Sequence, residues 1–124
     1  MSNSSTKSET PSLQLKGRTR IEKYLVTYDT SGADLTIATP DSGYFLAIVG
    51  MQYSDDTAHN ITFKSGSTSL VTLYKAANSG VDFPLSNRVF VNTKVDEALK
   101  INCSIALDGG MIIYVAQAKE INLA

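Results

Sequence analysis

The chain has one cysteine, one histidine, three prolines and no tryptophan among its 124 residues. With a single cysteine, Cys103, no disulfide can form within the chain, and a lone thiol suits folding in a reducing cytosol. So few thiol and imidazole groups leave too few ligands for a zinc site. We therefore predict no disulfide scaffold, no metal site and no cofactor.

The sequence also lacks an excess of charge and a long apolar run. Eleven basic and 12 acidic residues give a formal net charge of −1, so no overall field attracts nucleic acid or an anionic membrane. No apolar run reaches the about 18 residues that a transmembrane helix requires. The Ser/Thr-rich N-terminus has no hydrophobic stretch of the secretory type. We expect neither a nucleic-acid partner nor a membrane partner.

The chain does contain short β-strand patterns, separated by turns rich in Gly, Asn, Asp and Ser. Its composition, 43% apolar and 19% charged, suits one domain with one hydrophobic core. The patterns indicate about eight strands, which predicts an all-β fold: an antiparallel β-sandwich, most simply a jelly roll, with an extended N-terminal arm. The predicted strands are residues 23–28, 35–38, 44–53, 60–64, 68–74, 88–92, 99–107 and 111–118.

Three details of these patterns predict local structure. Gly50 interrupts the third strand and indicates a bulge or a close backbone approach. Residues 75–84 read as a loop. Residues 99–107 alternate strictly between apolar and polar side chains, and the Asp108-Gly109-Gly110 turn predicts that residues 111–118 return as their partner strand.

Two predicted strands, residues 44–49 and 111–116, are apolar on both faces. An antiparallel strand in a small sandwich normally has one face in water. Either a loop or the N-terminal arm covers the second face, or a second copy of the chain does, because contiguous exposed apolar surface usually marks an interface. The candidate oligomer interface consists of Tyr44, Leu46, Ile48, Met111, Ile113 and Val115.

Residues 1–22 form the predicted flexible or extended arm, and residues 23–124 the single β-sandwich domain. From residue 13 to residue 22, one face of an extended segment is mildly apolar and the other is basic. This pattern fits an arm that lies on a protein partner, and it fits equally well an edge strand that uses Lys and Arg to prevent unwanted pairing. The candidate partner-binding residues are Leu13, Leu15, Lys16, Arg18 and Arg20.

No residue pattern indicates catalysis, and we predict that the chain is not an enzyme. Cys103 lies on the apolar face of its strand, which favours a buried hydrophobic residue over a nucleophile. His59 reads as a solvated loop residue. The pair Asp55-Asp56 could supply oxygen ligands for Ca²⁺, but a solvated turn is the simpler interpretation because the spacing does not match a calcium loop.

Four segments resemble small structural proteins that recur in tailed bacteriophages. The segments are residues 61–68 (ITFKSGST), 73–80 (LYKAANSG), 97–104 (EALKINCS) and 113–115 (IYV). The likeness extends over roughly residues 44–118. It implies a compact jelly-roll or β-sandwich module without active-site residues. Sequences of this type often have Gly before the Glu-Ala-Leu of the third segment, where this chain has Asp96.

The resemblance implies a virion structural protein, most simply a capsid decoration or cement protein. Such a protein binds the major capsid protein and its own copies, as a homotrimer, on the capsid surface, after synthesis in the host cytoplasm. The alternative is a tail, baseplate or fibre component that binds host carbohydrate. That alternative requires exposed aromatic side chains, and the best candidate patch in the sequence is Tyr53 with Asp55 and Asp56.

Overall fold

The computed structural model describes residues 4–7, 13–15, 19–28, 32–85, 89–107 and 110–118. Every regular element assigned within these ranges is a β-strand. No helix long and apolar enough to cross a membrane occurs in this part of the chain. The strands are β1 (Ser4–Lys7), β2 (Leu13–Leu15), β3 (Thr19–Thr27), β4 (Leu35–Ala38), β5 (Phe45–Asp55), β6 (His59–Ser65), β7 (Thr68–Lys75), β8 (Ser79–Phe83), β9 (Val91–Asn92), β10 (Leu99–Cys103) and β11 (Met111–Ala118).

The strands form two antiparallel sheets with the strand order of a jelly roll. The large sheet has the order β1-β3-β11-β5-β8, with β2 also beside β3 and β9 also beside β5. The small sheet has the order β4-β10-β6-β7. Without β1, β2 and β9, eight strands remain, ordered first-eighth-third-sixth in one sheet and second-seventh-fourth-fifth in the other. The predicted jelly-roll sandwich is therefore confirmed.

The core lies between the sheets and is built from alternate residues of each strand. In β6 and β10 every second side chain is buried, which is the period of two that places one face of a strand inward. Phe63 and Ile101 from the small sheet are fully buried in the same cluster as Ile48 and Ile113 from the large sheet. The strict alternation of residues 99–107 therefore predicted a half-buried strand correctly over its first five residues, but the strand ends at Cys103.

The predicted pairing of the last two strands is wrong. β10 pairs with β4 and β6 in the small sheet, whereas β11 pairs with β3 and β5 in the large sheet. Both strands direct their odd-numbered side chains into the core, so Ile101 and Ile113 belong to the same apolar cluster from opposite sheets. A turn sequence between two strands therefore did not establish a hairpin, because a jelly roll sends consecutive strands across the core.

Two strand predictions near β8 also need correction. Residues 75–84 were predicted to be a loop, but β8 (Ser79–Phe83) pairs with β5 there. Of the predicted strand at residues 88–92, the described residues 89–92 contain only the two-residue β9. Val81 and Phe83 pack on the core, yet Gly80 and Asp82, which alternate with them, disfavour a strand by propensity. Packing against β5 outweighs that weak local preference.

Gly50 marks both features that its position in the sequence predicted. β11 pairs Tyr114 with Gly50 and then Val115 with Ile48, so Val49 is an extra residue in a β-bulge. The bulge changes which face successive side chains of β5 occupy. A Cβ on Gly50 would lie 3.0 Å from Leu85 Cα, so the neighbouring backbone approaches closely at this point.

Asp96 occupies a turn whose backbone geometry favours glycine. Its φ is 65°, in the left-handed region. Asp tolerates this region better than most residues. The Asp96 side chain accepts a hydrogen bond from the Gly43 amide at 2.6 Å, and the Asp96 amide donates to the Tyr44 carbonyl at 2.8 Å. Asp96 thus keeps a conformation that glycine would adopt without strain.

We expect Asp96→Gly and Asp96→Ala to differ in stability. Glycine removes the hydrogen bond to Gly43 but relieves the left-handed backbone, so its free energy of unfolding should stay within about 0.5 kcal/mol of the parent. Alanine loses the same hydrogen bond without that relief and should cost about 1–2 kcal/mol. Urea denaturation followed by circular dichroism measures both variants. Equal stability of the two variants would show that the turn is not strained.

Candidate functional site

Five of the six predicted interface residues lie inside the core of a single copy. Leu46, Ile48, Met111, Ile113 and Val115 all belong to the cluster between the sheets, and none is more than 4% exposed. Their burial requires no second copy, which removes the reason for placing an interface at these side chains. The sixth residue, Tyr44, is half-buried just before β5 begins.

The outer faces of the two doubly apolar strands are covered by the chain itself. Val49 of β5 and Ala116 of β11 are buried in a second cluster with Ile21 of β3. Leu85 and Val89, from the segment between β8 and β9, pack against this cluster. Of the alternatives that the sequence left open, cover by a loop of the same chain is the one that the structure contains.

The described parts of the N-terminal segment are edge strands of the chain's own large sheet. β1 and β2 both pair antiparallel with β3, and the Ser5 hydroxyl donates to the Ile37 carbonyl of β4 at 2.8 Å. β1 therefore connects the edges of the two sheets. β3 begins at Thr19, so the predicted boundary between residues 22 and 23 falls within a strand.

The side chains proposed to bind a partner through this arm are not described. Leu13 and Leu15 belong to β2 and Arg20 to β3, but only their strand positions are known. Lys16 and Arg18 lie outside the described residues. The role of these five residues in partner binding stays a prediction.

Cys103 is fully buried at the end of β10. Burial raises the pKa of its thiol to about 12, because an apolar site disfavours the thiolate. The thiolate is the nucleophilic form of cysteine, and it is scarce at neutral pH when the pKa is this high. Cys103 is therefore a core residue, as its place in the alternation predicted.

His59 is buried rather than solvated, which corrects the prediction from its polar neighbours. It begins β6, is 6% exposed, and lies 2.8 Å by Nδ1 from the Thr57 carbonyl and 2.9 Å by Nε2 from the Tyr53 hydroxyl. Because a carbonyl only accepts, Nδ1 donates to Thr57, and the contact between Nε2 and the Tyr53 hydroxyl is the second hydrogen bond of the ring. The two side chains together extend the core between β5 and β6.

This contact also corrects the carbohydrate patch predicted at Tyr53. Tyr53 is only 4% exposed, so its ring cannot stack on a sugar at the surface. Thr57 bonds to Asp56 in the exposed turn beside it. Throughout the described ranges, no three His, Cys, Asp or Glu side chains come together in a group that could hold a metal ion.

The outer face of the small sheet is polar and carries an exposed aromatic ring. Asp34 accepts hydrogen bonds from Asn102 at 2.7 Å and from Lys64 at 3.0 Å, and these two contacts lower the pKa of the Asp34 carboxyl. Thr72 of β7 and Thr62 of the neighbouring strand β6 share a hydrogen bond of 2.9 Å between their hydroxyls. Tyr74, next on the same face of β7, is 80% exposed. This face therefore offers hydrogen-bonding groups and an aromatic ring for binding.

A cavity of about 180 Å³ opens between β3, β5, β11 and the β4–β5 connection. Asp41 and Gln117 close one side of it, since the Gln117 amide donates to Asp41 at 3.0 Å and its carbonyl accepts from the Asp41 amide at 2.7 Å. Burial, followed by the charge of Glu22, raises the pKa of Tyr24 on the opposite side. The lining consists of Glu22, Tyr24, Thr39, Asp41, Leu46, Val115 and Gln117.

No protein-family model and no curated protein matches the chain. Among solved structures, a subunit of the disulfide-linked pili that form Bacillus endospore appendages is similar, with 17% identity and a TM-score of 0.51 over 82% of this chain and 88% of the pilus chain. A carbohydrate-binding module of Cellvibrio mixtus lichenase 5A, solved with cellotriose, is 16% identical, with a TM-score of 0.43 over 95% of this chain and 87% of the module. At these identities the pilus subunit shares a fold with this chain, and neither similarity assigns a function.

We expect the thiol of Cys103 to be protected in the folded protein. At pH 8 its reaction with a chromogenic disulfide reagent should be at least about a hundredfold slower than after denaturation, because reaction requires opening of the core. A Thr36→Cys variant is the control, because Thr36 is an exposed residue of β4. Its new thiol should react rapidly while Cys103 stays protected. Because the folded-state pKa is raised from 9.0 to about 12, stability should fall as pH rises through that window. Rapid labelling of native Cys103 would contradict this assignment.

Proposed function

We propose that the chain is a structural subunit of a virus particle, most simply a capsid decoration or cement protein that joins other copies and the major capsid protein. The observation that carries this proposal is the position of its N-terminal strands. β1 and β2 lie at the edge of the large sheet and are attached to it by main-chain pairing with β3. Such an edge is suited to strand exchange between subunits.

The mechanism of joining follows from this attachment. Main-chain hydrogen bonds between antiparallel strands do not depend on which copy supplies the strand. The N-terminal strands of one copy can therefore occupy the same edge of β3 in a neighbour, with the same register, once the copies are close together. The described residues of the main core cluster start at Val26 in the chain. Exchange of the N-terminal strands would leave the contacts among those residues unchanged.

The subunits we propose are joined without disulfides. The chain's single cysteine is fully buried, so no thiol is presented to a neighbour. Strand pairing and side-chain contacts must supply the whole association. Assembly as a homotrimer on the capsid surface remains part of the proposal on the strength of the phage resemblance.

A protein that lacks residues 1–15 tests the proposal, because it loses β1 and β2 but keeps β3 from Thr19 onward. We expect the truncated protein to stay folded, with Cys103 still protected, and to bind purified particles with at least about tenfold lower occupancy, since its edge pairing is lost. Immunogold electron microscopy of intact particles and quantitative binding to particles stripped of the subunit measure this effect.

A matched variant separates the strand from its charge. Lys16→Gln, Arg18→Gln and Arg20→Gln together retain the arm but remove its basic face, so binding should persist if main-chain pairing dominates. Full attachment by the truncated protein would overturn the role of the arm. Absence of the full-length protein from particles would overturn the virion proposal itself.

A second candidate function is carbohydrate binding, and it is favoured by Tyr74. Its ring is 80% exposed on the outer sheet face beside the polar side chains of Asn60, Thr62 and Thr72. Exposed aromatic rings with nearby hydrogen-bonding groups suit the apolar faces and hydroxyls of sugars. This patch replaces the one predicted at Tyr53.

A glycan array tests this second function directly. If it is correct, the parent protein binds a defined set of glycans, and Tyr74→Ala reduces that binding by about tenfold or more through loss of the stacking surface. Thr36→Ala, at the opposite edge of the same sheet, is the control and should bind as the parent does. An array with no reproducible binding would remove this candidate.

A further inference from the structure

The free edges of the two sheets differ in how well they are protected from pairing with another strand. At one side of the molecule, β1 reaches across to β4 through the bond from Ser5 to Ile37. At the other edge of the large sheet, β8 has only five residues, including Gly80 and Asp82, and Pro84 follows it directly. Short strands, charges and prolines are the usual devices that block edge pairing.

β7, at the remaining edge of the small sheet, is not blocked in these ways along residues 71–74, because its bulge at Leu70 and its inward-directed Lys75 lie on either side of that regular run. It is eight residues long and has no proline, and within the described ranges no strand pairs with its outer side. Its one charged residue, Lys75, is 5% exposed, and its ammonium donates to the Ala76 carbonyl at 2.7 Å and the Thr57 carbonyl at 3.3 Å. The edge is therefore long, uncharged on its surface and open to pairing.

We propose that β7 pairs antiparallel with β7 of a second copy about a twofold axis through Thr72. This inference rests on the proposed function, since it names the surface through which copies of a structural subunit join. Two identical strands that carry surface charges would place like charges opposite each other, and β7 avoids that repulsion. The two small sheets then form one continuous eight-stranded sheet.

The register follows from the side chains of β7. Val71 and Leu73 pack on the core, so the alternation directs Thr72 and Tyr74 outward. Leu70 is the unpaired residue of a bulge between Val71 and Ser69. With Thr72 on the axis, Tyr74 of each copy lies opposite Leu70 of the other, and Val71 lies opposite Leu73. The exposed Tyr74 ring thereby gains an apolar cross-strand neighbour.

The expected association is weak in solution. A single strand pair buries less than the about 1,200 Å² of a stable standard interface, so it becomes effective when copies are already concentrated, as on a particle surface. A twofold contact of this kind is separate from the threefold axis implied by the phage resemblance, and it can link neighbouring trimers.

Crosslinking tests the register. In a Thr72→Cys variant the two introduced thiols would face each other across the axis, and Cα atoms of directly opposed residues lie about 4.5–5.5 Å apart, within the range of a disulfide. Mild oxidation should give a crosslinked dimer. Thr36→Cys, on exposed β4 at the opposite edge, is the control and should give little, and the buried Cys103 gives no background. Equal crosslinking of both variants, or none of Thr72→Cys, would overturn the register.

Charge substitution tests the pairing itself. Thr72→Lys and Thr72→Glu each place like charges together and should raise the dimer dissociation constant about tenfold or more, whereas an equimolar mixture of the two should associate at least as well as the parent. Sedimentation velocity at several concentrations measures this, and protection of Cys103 checks that each variant is folded. Thr36→Lys and Thr36→Glu are the matched controls and should change nothing.

The outcomes separate this inference from the proposed function. Parent protein that stays monomeric up to millimolar concentration, or association unchanged by both Thr72 substitutions, would overturn β7 pairing while leaving the particle location to its own test. If Tyr74→Ala abolishes glycan binding while the Thr72 variants associate as the parent does, the exposed ring serves carbohydrate and the pairing is wrong. A dimer through β7 in a protein absent from particles would retain the contact and overturn the virion proposal.

Discussion

Burial of both faces of β5 and β11 is the constraint on which the rest of this structure depends. These two strands lie at the centre of the large sheet, where one face meets the small sheet and the other meets Leu85 and Val89. A strand covered on both faces must be apolar along the covered stretch, and residues 45–51 of β5 are buried at every position before the exposed Gln52. The bulge at Val49 changes which face the following side chains occupy within this stretch, and Gly50 leaves room for the covering segment.

One copy of the chain covers both faces of its central strands. The groups left for contact with another copy are therefore at the sheet edges. A sandwich, unlike a closed barrel, always leaves edge strands with unpaired main-chain groups. At one side of this sandwich, the hydrogen bond from β1 to β4 bridges the two sheets. At the other side, β8 is short and is followed directly by Pro84. The N-terminal strands and β7 are the edges that we propose to pair with another copy. A structural function is therefore consistent with a molecule whose distinctive surfaces are strand edges.

The reliability of the sequence patterns depended on how local their causes are. The alternation in residues 99–103 and the doubly apolar residues 44–49 reflect the immediate surroundings of each side chain, so they predicted strands and burial correctly. Cys103 followed from the same alternation. His59 and Tyr53 were misjudged because their polar neighbours in sequence are not their neighbours in space; the two side chains satisfy each other in the core. β8 was missed because Gly80 and Asp82 weaken its local signal.

The sequence by itself determined the all-β class, the approximate strands and the buried thiol, since each depends on residue type and a period of two along the chain. Only the tertiary structure decided that β10 and β11 lie in opposite sheets, that the chain covers its own apolar strands, and that Tyr74 rather than Tyr53 is exposed. The physical reason is that pairing partners and cover are contacts between residues far apart in sequence, and several arrangements of the same strands satisfy the same local pattern.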